Sequence, residues 1–444
     1  MRTSAPASSV TSADAPPAKR PESAVPSADL PDEELLEIVQ RQTFRFFWEG
    51  AHPASGLAPD RRTRREEPYD DVVAIGGSGF GIMALVIAVD RGWVTRAAAL
   101  ERLGRMLDAL RHARCYHGAF PHFLDARTGA AVPLINHKDD GGDLVETSLL
   151  AMGLLTARQY FGLDTPSERA VRQRLTSLYE DVEWSWYTQE RKLLYWHWSP
   201  NNGWAMDHEI HGWNECLITY VLAAGSKRYG IDPLVYHRGF ASGRDFLNGK
   251  SYYGIELPLG QPYGGPLFFA HYSFCGLDPR GLRDAYADYW EQSLRHVRIH
   301  LAHCTANPGG YAGYGPDCWG LTASDDPSGY AGHSPAHDNG TISPTAALSS
   351  FPYAPREAMQ ALRHFLDRYG EQVWGRFGFV DAFCEARGWF AETFLAIDQG
   401  PIIVMIENHR TELPWKLFMS APEVREGLRR LDFTSPWLER APTG

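Results

Sequence analysis

Apolar residues recur every three or four positions from residue 32 onward, which is the spacing of an amphipathic α-helix. In "DEELLEIVQRQTFRFFWEG" the residues Leu36, Val39, Phe44 and Phe47 share one helix face, and "TRAAALERLGRMLDALRHA" from Thr95 repeats the pattern. Further helices are predicted near residues 78–91, 144–161, 212–229, 279–304, 355–369 and 390–408. Alternation of Val, Ile and Thr over the length of a strand is scarce, so the sequence predicts an all-α fold.

Two segments carry the sequence of a capping box, in which a hydroxyl and a carboxylate satisfy free N–H groups at a helix start. They are "TPSE" at 165–168 and "SAPE" at 420–423. The glycine-rich "IGGSGFG" at 75–81 matches neither of the common phosphate-loop patterns. We attribute its glycines to close packing between helices.

Three long segments between the predicted helices are rich in Gly, Pro and aromatic residues: 195–204, 256–273 and 318–344. Irregular segments longer than about 15 residues are uncommon in compact chains and are usually functional. Several of the 14 Trp and 20 Tyr lie in such segments, where aromatic rings can form platforms for sugars. Helices joined by long loops suit an α/α toroid, in which helix pairs ring an axis and loops line a cleft.

Composition excludes several classes of function. The net charge of -11 over 444 residues argues against nucleic acid, because a phosphate-binding chain carries a basic stripe. The six Cys have no C-x-x-C spacing, which argues against a zinc knuckle and a disulfide framework. Residues 1–31 are mostly Ala, Ser and Pro and are predicted to be a disordered tail, with residues 32–444 forming one domain.

Targeting segments are not apparent in this sequence. The N-terminal segment lacks the apolar core of a secretory signal, and the longest apolar run, at 80–89, is shorter than the roughly 20 residues of a membrane span. The sequence as given therefore predicts a cytoplasmic protein without a membrane span, and a periplasmic one if a signal was removed.

A metal site is the first interpretation of "AMDHEIHGWNECL" at 205–217, which concentrates acids and histidines. His208 and His211 stand three residues apart and do not match H-E-x-x-H, whose two His lie one helical turn apart around the metal. A third ligand would have to come from elsewhere. We therefore predict no metal and no cofactor.

Four acids precede an apolar helix in "HKDDGGDLVETSLLAMGLL" at 137–155: Asp139, Asp140, Asp143 and Glu146. Asp143 and Glu146 are three apart, so on a helix both carboxylates project from one face, as a catalytic pair would require. The same spacing is that of a capping arrangement, in which the helix dipole favours acids. Both interpretations remain open.

Glu215 stands next to Trp213 at the head of another apolar helix, in "GWNECLITYVLAAGS". A carboxyl held against an indole and away from water favours its protonated form, which a general acid requires at neutral pH. The alternative is a first-turn Glu that complements the helix dipole.

The segment "LAIDQGPIIVMIENHRT" at 395–411 contains two further acids in apolar surroundings, where a carboxylate is costly unless paired or used. Arg410 is the predicted partner of Glu407, which makes Glu407 structural. Asp398 has no obvious partner nearby in sequence. Asp325 and Asp338 are weaker candidates, because Asp in Gly- and Ser-rich loops usually serves turns.

No Ser or Cys lies in the G-x-S-x-G context of a nucleophile elbow. An aromatic cleft that carries several carboxylates is the equipment of glycoside hydrolysis.

Successive blocks of the chain resemble the glucoamylase-like domain of glycoside hydrolase family 144. They include "GGDLVETSLLAMGLLTARQYF", "GWNECLITYVLAAGS", "GGPLFFAHYSFCGLDPR", "CWGLTASDDPSGY", "NGTISPTAALSSFPYAP" and "AIDQGPIIVMIENHRT", and the likeness spans about residues 33–433. The resemblance implies an (α/α)6 barrel with long active-site loops. It also implies hydrolysis of β-1,2-glucan, either internally or by release of sophorose from a chain end, by an inverting mechanism without a metal.

The resemblance assigns roles to individual residues. Glu215 in "GWNE" is the general-acid candidate, and Asp143 and Glu146 in "DLVET" line the same cleft. Asp398 in "AIDQG" is the candidate base that activates water. The predicted sugar contacts are Trp213, Trp319, His271, Tyr272, Asp140, Trp204 and His211.

Three alternatives stay open. The same fold can act from the chain end as a β-glucosidase or sophorohydrolase, or catalyse transglycosylation. The domain could instead be a glucan-binding module without turnover. A polysaccharide lyase would need a Tyr or His base and a residue that neutralises a uronate. In each case the expected partner is a β-glucan or a related polysaccharide, and the oligomeric state is not predicted.

Overall fold

The computed structural model describes residues 24–65 and 71–440, in which α-helices dominate and strands form only small two-stranded sheets. The helices are α1 Asp32–Trp48, α2 Ile75–Asp90, α3 Arg96–His112, α4 Leu144–Tyr160, α5 Pro166–Glu180, α6 Leu217–Gly225, α7 Pro233–Val235, α8 Tyr289–Ala306, α9 Pro344–Leu348, α10 Pro355–Val373, α11 Ala396–Arg410, α12 Leu413–Ser420, α13 Pro422–Arg430 and α14 Pro436–Glu439. The predicted mainly α character is confirmed.

The strands pair in antiparallel fashion, two at a time. They are β1 Arg61–Thr63, β2 Val72–Ala74, β3 Phe123–Asp125, β4 Gly142–Asp143, β5 Leu194–Tyr195, β6 His197–Trp198, β7 Glu209–Ile210, β8 Leu247–Tyr252, β9 Ile255–Leu259, β10 Ala323–Asp326, β11 Gly329–Gly332, β12 Trp374–Gly375, β13 Gly378–Phe379, β14 Phe383–Cys384, β15 Trp389–Phe390 and β16 Thr393–Leu395. The pairs β1–β16, β2–β3 and β4–β6 directly precede or flank the starts of α11, α2 and α4.

The core consists of helices that are apolar on all sides. Residues 75–88 of α2 are all buried, as are residues 144–158 of α4 and the whole of α6. Helix α2 packs against α4 and α11, and α4 packs against α6. A helix that is hydrophobic all round belongs inside a larger helical assembly, whereas α1, α3 and α5 bury one face and expose the other.

Glycines allow the close approach of α2 and α4, as predicted from "IGGSGFG". A Cβ at Gly79 would lie 2.3 Å from the backbone oxygen of Leu149, and one at Gly153 would lie 2.2 Å from the oxygen of Gly79. Any larger residue at either position would push the two helices apart.

Of the two predicted capping boxes, one forms its hydroxyl half, while the Glu168 carboxylate accepts from Arg96 and from the N–H of Leu163. Thr165 caps α5 and accepts a hydrogen bond from the N–H of Glu168 at 3.3 Å. The prediction for "SAPE" is wrong, because Ser420 ends α12 and donates to the carbonyl oxygen of Leu417 at 2.7 Å. Ala421 occupies the N-cap position of α13 without a side-chain bond.

Several predicted helices start later than expected, because side chains close turns before them. Asn214 accepts from the N–H of Cys216 at 3.0 Å, so the helix predicted from residue 212 begins at Leu217. The helix predicted from residue 279 begins at Tyr289, where Asp288 caps its first turn. Strand β16 occupies the residues before α11.

The predicted disordered tail is too long at its C-terminal end. Val25, Ala28 and Leu30 pack against the core, and Arg363 of α10 donates to the carbonyl oxygen of Leu30 at 2.9 Å. The prediction of disorder is therefore wrong for residues 24–31, and residues 1–23 lie outside the described part of the chain.

Within the described residues, no helix combines the length and the apolar character that crossing a membrane requires.

Candidate active site

Three buried helices begin with acidic side chains that are shielded from water. Asp143 is the N-cap residue of α4, and Glu146 lies in the first turn of that helix. Glu215 stands just before α6, and Asp398 lies in the first turn of α11. All four side chains are at most 9% exposed. The partial positive charge of a helix N-terminus favours an acid at each of these positions.

Electrostatic interactions connect these acids with one another and with a neighbouring phenol. Burial acts most strongly on the pKa of Glu215, and Glu146 and Asp143 raise it further. Burial also dominates the pKa of Tyr272, which is raised further by Asp398, Glu215 and Glu146. Tyr272 is therefore within electrostatic reach of acids at the starts of α4, α6 and α11.

The first turn of α2 lies between the acids of α4 and α11. The N–H of Gly76 donates to Oε2 of Glu146 at 2.8 Å. A Cβ at Gly77 would lie 2.5 Å from the Cβ of Ala396, two residues before Asp398. The two glycines therefore let both acid-bearing helix starts approach the same turn of α2.

Asp143, Glu146 and His122 form a hydrogen-bonded group, here named the histidine-linked acids. Nδ1 of His122 lies 3.1 Å from Oδ2 of Asp143, and its Nε2 lies 3.8 Å from Oε1 of Glu146. Asp143 also accepts from the indole N–H of Trp196 at 3.0 Å. Burial alone would lower the pKa of His122, but Glu146 and Asp143 outweigh it and raise that pKa to about 10. A protonated imidazole therefore offsets the charge of this group.

The capping interpretation of Asp143 is confirmed, since its Oδ1 accepts from the N–H of Glu146 at 2.8 Å. Its other oxygen, Oδ2, contacts His122. Asp143 therefore caps α4 and also belongs to the histidine-linked acids.

Asp139 and Asp140 differ in spite of being neighbours. Asp139 is buried, and burial together with Asp143 raises its pKa to about 7. Asp140, predicted as a sugar contact, accepts from Ser199 at 2.5 Å and from Asn201 at 2.6 Å. These two bonds outweigh partial burial and lower the pKa of Asp140. Asp140 holds the loop after β6 in place.

Glu215 has the protonation expected of a general acid. Burial raises its pKa to about 7, with added effects of Glu146 and Asp143. Its backbone carbonyl accepts a hydrogen bond from Ser273, which fixes the turn before α6. A carboxyl with a pKa near neutrality is protonated in a substantial fraction of molecules at pH 7.

Asp381 and Asp398 form a second acid group, here named the aspartate pair. Both side chains are 1% exposed, and their carboxyl groups hydrogen bond to each other. Burial and the nearby Asp325 raise the pKa of Asp381 to about 7. Burial and Asp381 raise the pKa of Asp398 well above its ordinary value.

Two predicted sugar contacts lie in the core instead. Trp319 is fully buried and donates its indole N–H to the carbonyl oxygen of Glu357 at 3.4 Å. Trp213 is 3% exposed and packs against Phe274 and Tyr289. Neither indole offers an open face, and a sugar contact by Trp213 or Trp319 stays a prediction.

His271 and Tyr272 are also buried, behind the acids. His271 lies 3.0 Å from the hydroxyl of Ser350, and burial lowers its pKa to about 3, so its imidazole is neutral. Tyr272 packs against Phe80 and Phe268 and is 6% exposed. Of the two, only Tyr272 is coupled to all three acid-bearing helices.

Trp204 and His211 lie in more open positions. Trp204 is half-buried among Trp186, Tyr187 and Tyr195, and Trp186 is 42% exposed. His211 is exposed beside the loop that contains residue 243. Both side chains remain predicted sugar contacts.

The remaining acids of the sequence prediction have structural partners. Glu407 binds Arg91, at 2.9 Å from its Nε, and Arg410 pairs with Glu37 at 2.9 Å. The predicted partner Arg410 is therefore wrong, although Glu407 is structural as expected. Asp338 is held by His303 at 2.8 Å, beside Tyr314.

The "DHEIH" segment does not assemble a metal cluster. His208 stacks on Trp196 with ring centroids 4.7 Å apart, and Glu209 accepts from Tyr195 at 3.0 Å. Across residues 24–65 and 71–440, no group of three or more His, Cys, Asp or Glu side chains is arranged to hold a metal ion.

With this geometry in place, the chain can be compared with known proteins. The "Glycoamylase" family model matches residues 207–422. The endo-β-1,2-glucanase of Chitinophaga pinensis, solved with sophorotriose and glucose, is 49% identical and superposes with a TM-score of 0.89; the match covers 92% of this chain and 100% of that one.

The chain belongs to the glucoamylase-like family. The family predicted from the motifs is thus confirmed. A β-1,2-glucanase of Parabacteroides distasonis is 45% identical with a TM-score of 0.88, over 91% of this chain and 60% of that one. The exo β-1,2-glucooligosaccharide sophorohydrolase (non-reducing end) of the same species is 45% identical over 90% of this chain, which spans 58% of that relative's length.

Sequence reasoning missed two side chains of this glucoamylase-like site. His122 stands alone among apolar residues in "FPHFLD", and a single His in such a segment carries no distinctive pattern. Asp381 stands in the equally apolar "FGFVDAF". The rule that singled out Asp398, an acid isolated among apolar residues, applies to Asp381 as well and could have found it.

Proposed function

We propose that this protein is a glycoside hydrolase that cleaves β-1,2-glucan or its oligosaccharides on an (α/α)6 barrel by an inverting acid/base mechanism. The observation that carries the proposal is a buried Glu215 just before α6, with a pKa raised to about 7 by burial and by Glu146 and Asp143. The close relatives described above, which are named β-1,2-glucanases or a sophorohydrolase, support the choice of linkage.

The helix order supports the barrel. The buried helices α2, α4, α6 and α11 alternate along the chain with helices that bury one face, such as α1, α3, α5 and α10. Helix α11 returns to contact α2, which in turn contacts α4, as expected if the buried helices form a ring. The acids at the helix starts then face one end of the barrel.

In the proposed reaction, protonated Glu215 donates its proton to the oxygen of the glucosidic bond as that bond breaks. Asp398 accepts a proton from a water molecule, which attacks the anomeric carbon from the opposite face. This single displacement inverts the anomeric configuration, and it requires the two carboxyls to be about 6.5–9.5 Å apart. The histidine-linked acids lie beside Glu215, where they provide negative charge and position the sugar.

Endo and exo action remain two forms of the same proposal. The relative from Chitinophaga pinensis is named an endo-β-1,2-glucanase, and the curated relative from Parabacteroides distasonis is named an exo-acting sophorohydrolase. A mixture of oligosaccharide sizes indicates internal cleavage, whereas sophorose alone indicates release from a chain end.

The test is incubation of the purified protein with linear β-1,2-glucan, with β-1,3- and β-1,4-glucan as controls, followed by sizing of the products. We expect products from β-1,2-glucan alone, and a loss of about 10²–10⁴-fold in kcat for Glu215→Gln. Glu209→Gln is the matched control, because Glu209 lies nearby in sequence and binds Tyr195 instead of facing the acids. It should keep wild-type kcat.

No product from any glucan would overturn the proposal. Retained sugar binding without turnover would then favour a glucan-binding module, and an unsaturated product that absorbs ultraviolet light would identify a lyase.

A further inference from the structure

The aspartate pair is built from two elements that converge on one buried point. Asp398 lies in the first turn of α11, and Asp381 lies in the segment between β13 and β14. Oδ1 of Asp381 and Oδ2 of Asp398 are buried, and neither accepts an N–H or O–H from the described residues. The hydrogen bond between the two carboxyls is therefore the contact available to these oxygens, and it requires a proton.

The other oxygen of Asp381 is held firmly. The backbone N–H of Asp325 donates to Oδ2 of Asp381 at 2.6 Å. On the side of Asp398, the hydroxyl of Thr345 donates to the backbone carbonyl at 2.9 Å. The backbone of β10 thus fixes the plane of the Asp381 carboxyl, and its Oδ1 is left for Asp398.

The charges around the pair are mostly negative. Asp60 and Asp325 both act on Asp398, and Tyr330 and Tyr272 are the phenols coupled to it. The cation Arg61 binds Asp60 at 3.0 Å and Asp325 at 3.4 Å, so its two contacts go to the flanking acids. The hydroxyl of Thr393 donates a hydrogen bond to the other carboxylate oxygen of Asp325 at 2.5 Å. Two ionised carboxylates in contact in such surroundings repel each other strongly.

We propose that Asp381 is a positioning residue that shares one proton with Asp398 and, by donating it as a hydrogen bond, lets Asp398 ionise and act as the base of hydrolysis. This inference rests on the proposed function. Two aspartates that share one proton are known as a working catalytic arrangement in other enzymes.

As an O–H bond of the attacking water breaks and its oxygen bonds the anomeric carbon, the pair takes up the released proton and goes from one proton to two. Glu215 gives its proton to the leaving oxygen as the glucosidic bond breaks. The pair then loses one proton to solvent and Glu215 regains one, which restores the starting state without another reactant.

Asp381→Asn keeps the shape of the Asp381 side chain and carries an N–H donor that it cannot lose. Its amide oxygen can replace Oδ2 and accept from the N–H of Asp325, while its NH₂ group replaces Oδ1 and donates to Asp398. The variant therefore imitates a permanently protonated Asp381. Asp381→Ala removes the hydrogen-bond donor to the Asp398 carboxylate.

We expect Asp381→Asn to keep kcat on β-1,2-glucan within about threefold of wild type, because the donor to Asp398 is preserved. An ionised Asp381 raises the pKa of Asp398, but a protonated Asp381 donates a hydrogen bond that favours the Asp398 carboxylate. Asp381→Ala removes that donor, so the lone buried carboxyl loses its proton at a higher pH than the doubly protonated pair loses its first. The acidic limb of the variant's kcat/KM profile should move up by about one pH unit or more, with at least a tenfold loss below the limb. Far-ultraviolet circular dichroism confirms that each variant is folded.

Infrared spectra at neutral pH provide a readout without substrate. Wild type minus Asp381→Asn should contain the C=O band of a buried protonated carboxyl, because the variant leaves Asp398 ionised.

Three results would overturn the inference: identical infrared spectra, an acidic limb that Asp381→Ala does not move, or a folded Asp381→Asn as inactive as Asp381→Ala. If wild type cleaves no glucan, the proposed function fails alone, and the infrared difference still decides whether the pair shares a proton.

Discussion

Two groups of buried acids lie beside the first turn of α2, and their negative charge is offset by different neighbours. The histidine-linked acids enclose a cation, with Nδ1 of His122 at 3.1 Å from Asp143. The aspartate pair joins two carboxyls directly, and its nearby cation Arg61 binds flanking acids. The comparison shows that burial alone does not set the state of an acid. Although burial raises the pKa of both the Glu146 and the Asp398 carboxyl, His122 lowers the pKa of Glu146, whereas Asp381 raises the pKa of Asp398.

The first prediction concerns the aspartate pair. Asp398→Asn should lower kcat by about 10²–10⁴-fold, because the proposed base is lost, while the free energy of unfolding changes little. Glu407→Gln on the same helix should lower the free energy of unfolding and leave kcat nearly unchanged. Glu407 is fully buried and binds Arg91, Gln40 and Thr411. Kinetics on β-1,2-glucan and urea unfolding measure both effects. Equal kcat losses in the two variants would contradict the contrast.

The second prediction concerns the cation of the histidine-linked acids. His122→Gln should lower the free energy of unfolding by about 2–4 kcal/mol, somewhat less than a fully buried pair because the side chain is 21% exposed. The pKa of His122 is raised in the folded state from 6.5 to about 10. Its stabilisation is therefore full below pH 6.5 and is lost as pH rises through about 10.

Urea unfolding of both proteins between pH 6.5 and 10 measures this difference. His237→Gln is the matched control, with a side chain 22% exposed and an acid partner, Asp432, that is 84% exposed. It should cost less than about 1 kcal/mol. A difference between wild type and His122→Gln that grows with pH would contradict the assigned charge.

The third prediction concerns the packing of α2 against α4, the helix that carries Asp143 and Glu146. Gly79→Ala should destabilise the protein by about 1–3 kcal/mol, because its Cβ would meet the backbone of α4. Gly104→Ala in α3 has open space around the new Cβ and should raise stability by about 0.5–1 kcal/mol, since Ala favours a helix. Thermal unfolding checks the opposite signs, and a neutral Gly79→Ala would disprove the close α2–α4 packing.

The fourth prediction uses the pH dependence of the acid between the two groups. Because burial raises the pKa of Glu215 to about 7, its protonated form is lost as pH rises through that value. The kcat/KM for β-1,2-glucan should therefore fall about tenfold per pH unit well above pH 7. A rate that stays constant up to pH 9 would exclude Glu215 as the acid.

The two acid groups were not equally accessible from the sequence. Asp143 and Glu146 could be found because both their capping and their shared helix face follow from a spacing of three residues. His122 joins them only because β3 pairs with β2, with Phe123 opposite Ala74, and such long-range pairing leaves no local pattern.

Local reasoning also failed where tertiary contacts set the outcome. The family resemblance implied that Trp213 and Trp319 contact sugar, and in the structure both indoles are buried in the core. Glu407 stood three residues before Arg410, but it pairs with Arg91 from α2. The sequence identified these acids, but it did not identify the residues that they contact in the fold.

The most direct test of the central claim is the anomeric form of the first product. Fresh β-1,2-glucan is mixed with the protein, and proton NMR follows the reducing-end signals before mutarotation. Acid catalysis by Glu215 with water activated at Asp398 predicts that the α-anomer appears first. A β-anomer formed first would mean retention, and would contradict the assignment of the aspartate pair as the base.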